Sequence, residues 1–254
     1  RLLERSTRGV VPTAAGRLLY GAARRLLAEA EVVEALMEGL DIDRAPVRLA
    51  ASPTIAEFVL PSMLVEIERR HERHLSVELS ITNSCVARTL VLEGRAELGV
   101  FAACGSGPPP AGLCESPFCD DEIVVAVPEG HPWAALEEID PAELVATRMI
   151  MRDPGASSRR VVSDALEPLG LSLSPPLAEI GSTAAAITAA ISEGAPVLVS
   201  SLALAASRSE GLTVRRPAGM RFDRRFVLLH SGEESLPAPA RALAHHLLDA
   251  QRLA

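Results

Sequence analysis

A repeat of apolar residues near the start of the chain constrains its fold more than any other feature. In this repeat, steps of four residues alternate with steps of three, which is typical of a helix that packs along another helix. The preceding Thr13 is a suitable N-cap residue, so we predict one helix over Thr13–Leu40, about 40 Å long at 1.5 Å per residue. So long a helix, with alanine at two seam positions, needs a partner helix. The seam consists of Leu19, Ala23, Leu26, Ala30, Val33, Met37 and Leu40.

A short basic segment precedes the predicted helix. Arg5-Ser6-Thr7-Arg8-Gly9 lies between the apolar pairs Leu2-Leu3 and Val10-Val11, a pattern that predicts a small β-hairpin. The first 25 residues contain six arginines and one glutamate, whereas the whole chain has a formal net charge of −8. A basic tip on an acidic body indicates contact with a phosphate backbone, although a solvated amphipathic helix with a charged cap would give the same asymmetry.

The segment Leu2–Gly16 resembles the wing and the start of the linker helix of LysR-type transcriptional regulators. That family has Leu-Phe-x-Arg, then a second Arg, then Leu-Thr-x-Ala-Gly; here Leu3 replaces the phenylalanine and Pro12 the leucine, and both arginines are kept. The resemblance implies that Arg5, Ser6, Thr7 and Arg8 contact double-stranded DNA. It also implies that the seam pairs, antiparallel, with a second copy in a homodimer or homotetramer. Because the family's recognition helix precedes this segment, we expect the chain to be part of a longer protein.

Two runs of alternating strands and helices are predicted after residue 46. The spacing is typical of parallel α/β sheets, and a leftover strand and helix indicate a return to the first half, as in a two-lobed binding protein with two crossovers. The first run has a strand at Val47–Ala51, a helix from Ser52 with the face Ile55, Val59, Met63 and Ile67, a strand at Leu75–Ile81, a helix to Leu92 and a strand at Ala96–Phe101. The second has strands at Ile123–Val127, Arg148–Met151, Leu177–Ile180 and Pro196–Ser200, helices at Ser157–Leu169 and Thr183–Ser192, and the final pair Phe226–His230 and Ala238–Leu253.

The order of elements over Arg44–Arg252 resembles the LysR-type effector domain. Leu60-Pro61, the run from Leu92 to Val100 and Gly130-His131-Pro132 stand where that family has similar residues. We therefore predict an α/β fold: a two-lobed, periplasmic-binding-protein-like effector domain preceded by a long linker helix and a remnant of a winged helix. The expected domains are a wing (1–12), a linker or dimerisation helix (13–40), a hinge (41–46), effector lobe I (47–127 and 222–254) and effector lobe II (128–221).

Small hydroxyl or amide residues follow successive predicted strands, and each opens a helix. Ligands usually bind at the carboxyl ends of parallel strands, and helix N-termini favour anions; alternatively, each residue merely caps its own helix. The nearest positive charge is Arg152, so we expect a small, weakly charged or partly apolar effector, such as a small carboxylate, rather than a dicarboxylate. The predicted ligand contacts are Ser52, Thr54, Asn83 and Ser84 from the first lobe, Phe101 as an apolar wall, and Ser157, Ser182 and Thr183 from the second lobe.

Other kinds of chemistry have little support in the sequence. It contains neither a Gly-x-Ser-x-Gly elbow nor a P-loop, and its histidine pairs are more typical of surface residues than of metal ligands, so we expect no enzyme activity, metal or cofactor. Asp120-Asp121-Glu122 is interpreted as a solvated loop ahead of a strand rather than a cation site. Cys85, Cys104, Cys114 and Cys119 fit no zinc pattern and are expected to be reduced thiols.

The resulting hypothesis is a DNA-binding transcriptional regulator that responds to a small-molecule effector. A redox sensor is disfavoured because no cysteine stands near Ala156 and Ser157, where the peroxide-sensing branch of the resembled family has one. A solute-binding protein of a transport system would fit the body but would leave the linker helix and the basic hairpin unexplained. No run of 18 apolar residues exists, and we expect a cytoplasmic location.

Overall fold

A hairpin and a long helix form the start of the chain, as predicted. The computed structural model describes residues 1–6, 9–37, 45–70, 75–103, 109, 112–207 and 210–252. Strands β1 (Leu3–Ser6) and β2 (Gly9–Pro12) pair antiparallel, and helix α1 (Ala14–Met37) follows. Thr13 caps α1, since its Oγ1 accepts a hydrogen bond of 3.0 Å from the N–H of Gly16. At 24 residues, α1 is about 36 Å long; the last predicted seam residue, Leu40, lies outside the described residues.

Within the described ranges, the body is built on ten hydrogen-bonded strands with helices on both faces. The strands are β3 (Val47–Ala51), β4 (Val77–Ile81), β5 (Leu98–Ala102), β6 (Cys114–Pro128), β7 (Glu138–Ile139), β8 (Ile150–Arg152), β9 (Ala178–Ile180), β10 (Val197–Ser200), β11 (Leu212–Pro217) and β12 (Phe222–His230). The helices are α2 (Pro53–Phe58), α3 (Leu60–Arg70), α4 (Ser84–Leu92), α5 (Pro141–Ala146), α6 (Ser157–Leu166), α7 (Thr183–Glu193), α8 (Ser201–Ala206) and α9 (Ala238–Arg252).

Two groups of parallel strands are joined by a long antiparallel pair of strands. The strand order is β4-β3-β5-β12-β6-β10-β8-β9, with β11 beside β6 and β7 beside β11. Strand β3 pairs in parallel with β4 and β5, and β8 pairs in parallel with β9 and β10. Strands β6 and β12 run antiparallel to each other and cross between the two groups. This is the predicted two-lobed α/β fold with two crossovers.

Each half has apolar clusters on both faces of its strands. In the first half, β3 and β5 pack against α2, α3 and α9 on one face and against α4 on the other. In the second half, one cluster surrounds Trp133, α5 and α6, and the other lies under α7 and α8. The lobe boundaries remain a prediction, although the apolar core of the second half already includes Ile123–Val127 of β6.

Two local predictions are wrong. The single helix expected after Ser52 is divided at Val59 into α2 and α3, because Pro61 has no N–H for the helical ladder and is tolerated only in a first turn. The acidic triplet Asp120–Glu122 lies within β6 rather than in a loop, and there it faces arginines of β12 and β11.

The long helix contacts the body near the end of α4. Arg25 Nη1 donates a hydrogen bond of 3.1 Å to the carbonyl oxygen of Leu92, the last residue of α4. Gly94 has a φ of +68° and lies so close to Arg25 that a Cβ on this glycine would be 3.2 Å from Arg25 Cγ. The rest of α1 exposes apolar seam residues, including Leu26, whose exposure is 73%. Among the described residues, we find no helix with the length and apolar character needed to span a membrane.

Candidate functional site

Arg224 of β12, a buried arginine that is not among the predicted site residues, contacts predicted residues from both halves. Its Nη2 donates to Thr54 Oγ1 at 3.1 Å, and its Nη1 donates to Ser157 Oγ at 2.8 Å. Thr54 lies in the first turn of α2, after β3, and Ser157 opens α6, after β8. One guanidinium therefore connects the carboxyl ends of strands in the two halves, and it also lies 4.6 Å from the centroid of the Phe226 ring.

Asp121 balances the charge of Arg224. Its side chain is fully buried, and Oδ2 accepts a hydrogen bond of 2.7 Å from Arg224 Nε. The other carboxylate oxygen accepts from Ser200 Oγ at 2.9 Å, Ser201 Oγ at 3.0 Å and the Leu202 N–H at 3.2 Å. Burial lowers the pKa of Arg224, and the positive charge of Arg152 acts in the same direction, whereas Asp121 opposes the shift. Because guanidinium groups stay protonated in proteins, Arg224 remains a buried cation.

Arg152, the positive charge suggested by the sequence, is a second buried cation beside this cluster. It ends β8, and its Nη1 donates to Thr183 Oγ1 at 2.5 Å. The same guanidinium donates to the carbonyl oxygens of Ile180 at 3.0 Å and Gly181 at 2.5 Å, and it lies 3.3 Å from Asp153 Oδ1. Of the predicted contacts, Thr183 thus binds Arg152, whereas Thr54 and Ser157 bind Arg224.

Two serines of the first half have buried hydroxyl groups. Ser52 and Ser84 are each 3% exposed, and the Oγ atom of neither has a hydrogen-bond partner within the part of the chain that the structure describes. Ser52 follows β3, and Ser84 is the first residue of α4. Buried hydroxyls without partners are uncommon and costly. These two therefore differ from the other predicted contacts, which are already engaged by the protein.

Asn83 and Ser182 act as helix caps, the alternative that the sequence left open. Asn83 Oδ1 accepts from the Val86 N–H at 2.9 Å, and Ser182 Oγ accepts from the Ala185 N–H at 3.3 Å. Ser182 Oγ also donates a hydrogen bond of 3.3 Å to Glu57 Oε1. Asn83 faces the second half, because its Nδ2 would lie 3.4 Å from a Cβ built on Gly155. Both residues thus lie where the halves meet, in addition to capping their helices.

Phe101 does not line the space between the halves in this structure. It is 1% exposed and packs with Ala87 and Val91 of α4. Alternation along β5 places its side chain on the face that α4 covers, whereas Val100 and Ala102 face α2 and α3.

The remaining predicted sites are described only in part. Thr7 and Arg8 lie outside the described residues, as do the side chains of Arg5 and Ser6. The cysteines that the structure describes, Cys85, Cys114 and Cys119, are free thiols. Over the same described ranges, His, Cys, Asp and Glu side chains form no group of three that is able to hold a metal ion.

A period-two pattern could have revealed Arg224. Phe222, Arg224 and Phe226 alternate with the exposed Asp223 and Arg225, which places the arginine on the buried face of the strand. The strand predicted from the sequence begins at Phe226 and therefore does not include this pattern.

Solved structures share this architecture. The regulatory domain of Synechocystis CcmR, in complex with 2-PG, superposes with a TM-score of 0.69 at 23% identity, covering 82% of this chain and 97% of that one. Full-length OxyR from Pseudomonas aeruginosa superposes with a TM-score of 0.68 at 20% identity, covering 99% of this chain and 80% of that one. The shared fold is that of a two-lobed α/β domain preceded by a long helix.

Sequence comparison identifies the family. Residues 40–252 match the family model of the LysR substrate binding domain. An uncharacterized HTH-type transcriptional regulator of Mycobacterium bovis is 34% identical over 259 residues, covering 97% of this chain and 82% of the relative. The chain belongs to the LysR-type family of transcriptional regulators, and its body is the effector-binding domain. Members of this family are regulators rather than enzymes, and the transport-protein alternative is not favoured.

Proposed function

We propose that this regulator binds a small carboxylate between its two halves and transmits binding through α1 to its DNA-binding part. The observation that carries the proposal is the contact of Arg224 with Thr54 and Ser157, which come from opposite halves. A ligand that binds beside this guanidinium would contact both halves at once and favour one arrangement of them over others.

The polar groups around Arg224 favour an anion with oxygen acceptors. Arg152 and Arg224 are both buried, and the charge of Arg152 acts on Arg224. The buried hydroxyls of Ser52 and Ser84, which have no partner among the described residues, can serve as donors. A carboxylate accepts hydrogen bonds from both kinds of group. The structural neighbour CcmR binds 2-PG in its regulatory domain, which supports a small ligand in the corresponding domain of this chain.

Helix α4 offers a direct route from this site to α1. Its first residue, Ser84, belongs to the proposed site, and the carbonyl oxygen of its last residue, Leu92, accepts the hydrogen bond from Arg25. A short helix moves as a rigid unit, so a shift at Ser84 would displace the contact with Arg25. Pairing of α1 with a second copy would convert this displacement into a new spacing of two DNA-binding parts. In this proposal Arg5, Ser6, Thr7 and Arg8 contact the DNA.

The proposal is tested by titrating the 254-residue chain with a panel of small carboxylates and measuring affinity by NMR. Replacing Ser52 or Ser84 with alanine should weaken binding at least tenfold, or by about 1.4 kcal/mol. The melting temperature should hardly change, because the removed oxygen has no partner among the described residues. The exposed Ser62→Ala is the control and should bind like wild type. Carboxylate binding that is equally strong in both site variants would refute the site.

A further inference from the structure

We propose that Glu57 determines the charge of the effector, so that the site selects a singly charged anion over a doubly charged one. This inference rests on the proposed function, because it concerns the same site. Its basis is a contact between the halves: the carboxylate of Glu57 in α2 lies at the N-terminus of α7.

The first turn of α7 is occupied by side chains of the protein itself. Glu57 Oε2 accepts a hydrogen bond of 3.1 Å from the Ala184 N–H, and Oε1 accepts from Ser182 Oγ at 3.3 Å. The Ala185 N–H donates to Ser182 Oγ. A helix N-terminus attracts anions through its free N–H groups and its dipole. At α7 the carboxylate of Glu57 already occupies the helix N-terminus, so an anionic group of a ligand would bind there only weakly.

Packing fixes Glu57 in this position. The next residue, Phe58, packs on the apolar cluster of α7 that includes Ala186 and Ile187. Thr54, three residues before Glu57, lies on the same side of α2 and contacts Arg224. The carboxylate is therefore held at the first turn of α7 rather than on a free side chain.

Fixed negative charges thus lie near the arginines or near their hydrogen-bond partners. Glu57 is next to Thr183, the partner of Arg152, through its contact with the adjacent Ser182. Asp153 lies 3.3 Å from the guanidinium of Arg152. One anionic group of a ligand is attracted by the positive charges of Arg152 and Arg224. A second anionic group in the same small molecule would approach Glu57 or Asp153 and be repelled.

Butyrate and succinate test the inference because they share a four-carbon chain and differ in the number of carboxylates. We would measure both affinities by NMR titration of the 254-residue chain at pH 7. Wild type should prefer butyrate. In Glu57→Gln the affinity for succinate relative to butyrate should rise at least tenfold, while the glutamine carbonyl can still accept the Ala184 N–H and preserve the fold. Glu193→Gln, at the exposed far end of α7, is the matched control and should keep the wild-type ratio.

The outcomes separate this inference from the proposed function. If butyrate binds and Ser84→Ala weakens it, but Glu57→Gln leaves the ratio unchanged, the role of Glu57 is wrong and the site stands. If butyrate binds with no effect of Ser84→Ala, the proposed site is wrong, whatever Glu57→Gln does. If neither acid binds to wild type or to Glu57→Gln, both proposals are overturned.

Discussion

At the scale of single residues, three adjacent acids of β6 show how environment gives one side-chain type different roles. Asp120 forms an exposed pair with Arg225, Asp121 is buried with Arg224, and Glu122 accepts hydrogen bonds from Arg216. Exposed pairs contribute little to stability because solvent screens them. Buried charges, in contrast, must be paired, since an isolated one would be very unfavourable. Asp121 and Glu122 therefore matter to the fold far more than Asp120.

Glu122 should make stability depend on pH in the acidic range. Hydrogen bonds of 2.8 and 2.7 Å from Arg216, followed by the charges of Arg216 and Arg221, lower the pKa of Glu122 below its ordinary value of 4.5, against the effect of burial. In the unfolded chain the ordinary pKa returns, so the unfolded state binds more protons between the two values. The stabilisation is therefore present above about pH 4.5 and is lost as the pH falls through the folded-state pKa.

Urea denaturation of Glu122→Gln at several pH values measures this effect. We expect a loss of about 2 kcal/mol at pH 7, the magnitude of hydrogen bonds to a charged group. The difference from wild type should shrink towards pH 3. Asp120→Asn, in the same strand, is the control and should have little effect at any pH. A constant difference between Glu122→Gln and wild type from pH 7 to pH 3 would contradict the assignment.

The sequence located some residues of the site and not others for a physical reason. Ser52 and Thr54 could be found because the strand and helix that position them are adjacent in the chain. The pairing of Arg224 with Asp121 joins residues about a hundred positions apart, and it depends on the register of two crossover strands. The contact of Glu57 with Ser182 also depends on how closely the halves approach each other. Local sequence patterns do not encode contacts between residues that are so far apart in the chain.

At the scale of elements, most strands and helices follow from apolar periodicity, and the errors come from local chemistry. Strand β3 has its predicted bounds, and α7 differs by one residue. Apolar periodicity does not predict the division between α2 and α3, because their apolar face continues at helical spacing across Pro61. Periodicity records which face is buried, but it does not record whether the hydrogen-bond ladder is continuous.

The docking of the hairpin on α1 should depend on Gly16. A Cβ on this residue would be 2.0 Å from the carbonyl oxygen of Leu2, a backbone contact that cannot be relieved by a side-chain movement. We therefore expect Gly16→Ala to separate the hairpin from α1 and to accelerate amide hydrogen exchange in β1 and β2 at least tenfold. Gly21→Ala is the matched control in the same helix, because its Cβ would be 3.6 Å from the Leu92 carbonyl oxygen, an ordinary contact. Unchanged exchange in Gly16→Ala would show that this packing is not required.

At the scale of the whole molecule, the crossover strands place the proposed site where the two halves join. Each half contributes parallel strands whose carboxyl ends open helices, and β12 supplies Arg224 from the junction itself. The site is therefore sensitive to the relative position of the halves. Helix α1 is attached to the first half through Arg25 and Leu92, so a movement of that half would be transmitted to any helix paired with α1.

The exposed seam of α1 should hold two copies of the chain together. Leu19, Leu26 and Val33 follow one another at coiled-coil spacing, and each is more than half exposed. In a paired seam, Leu26→Asp would bury a carboxylate without a partner, which is strongly unfavourable. We expect light scattering to show a dimer or larger assembly for the 254-residue chain and a shift towards monomer for Leu26→Asp at micromolar concentration. Leu169→Asp replaces an exposed leucine outside α1 and should leave the assembly unchanged. A monomeric wild type, or an assembly unaffected by Leu26→Asp, would show that the seam does not hold the copies together.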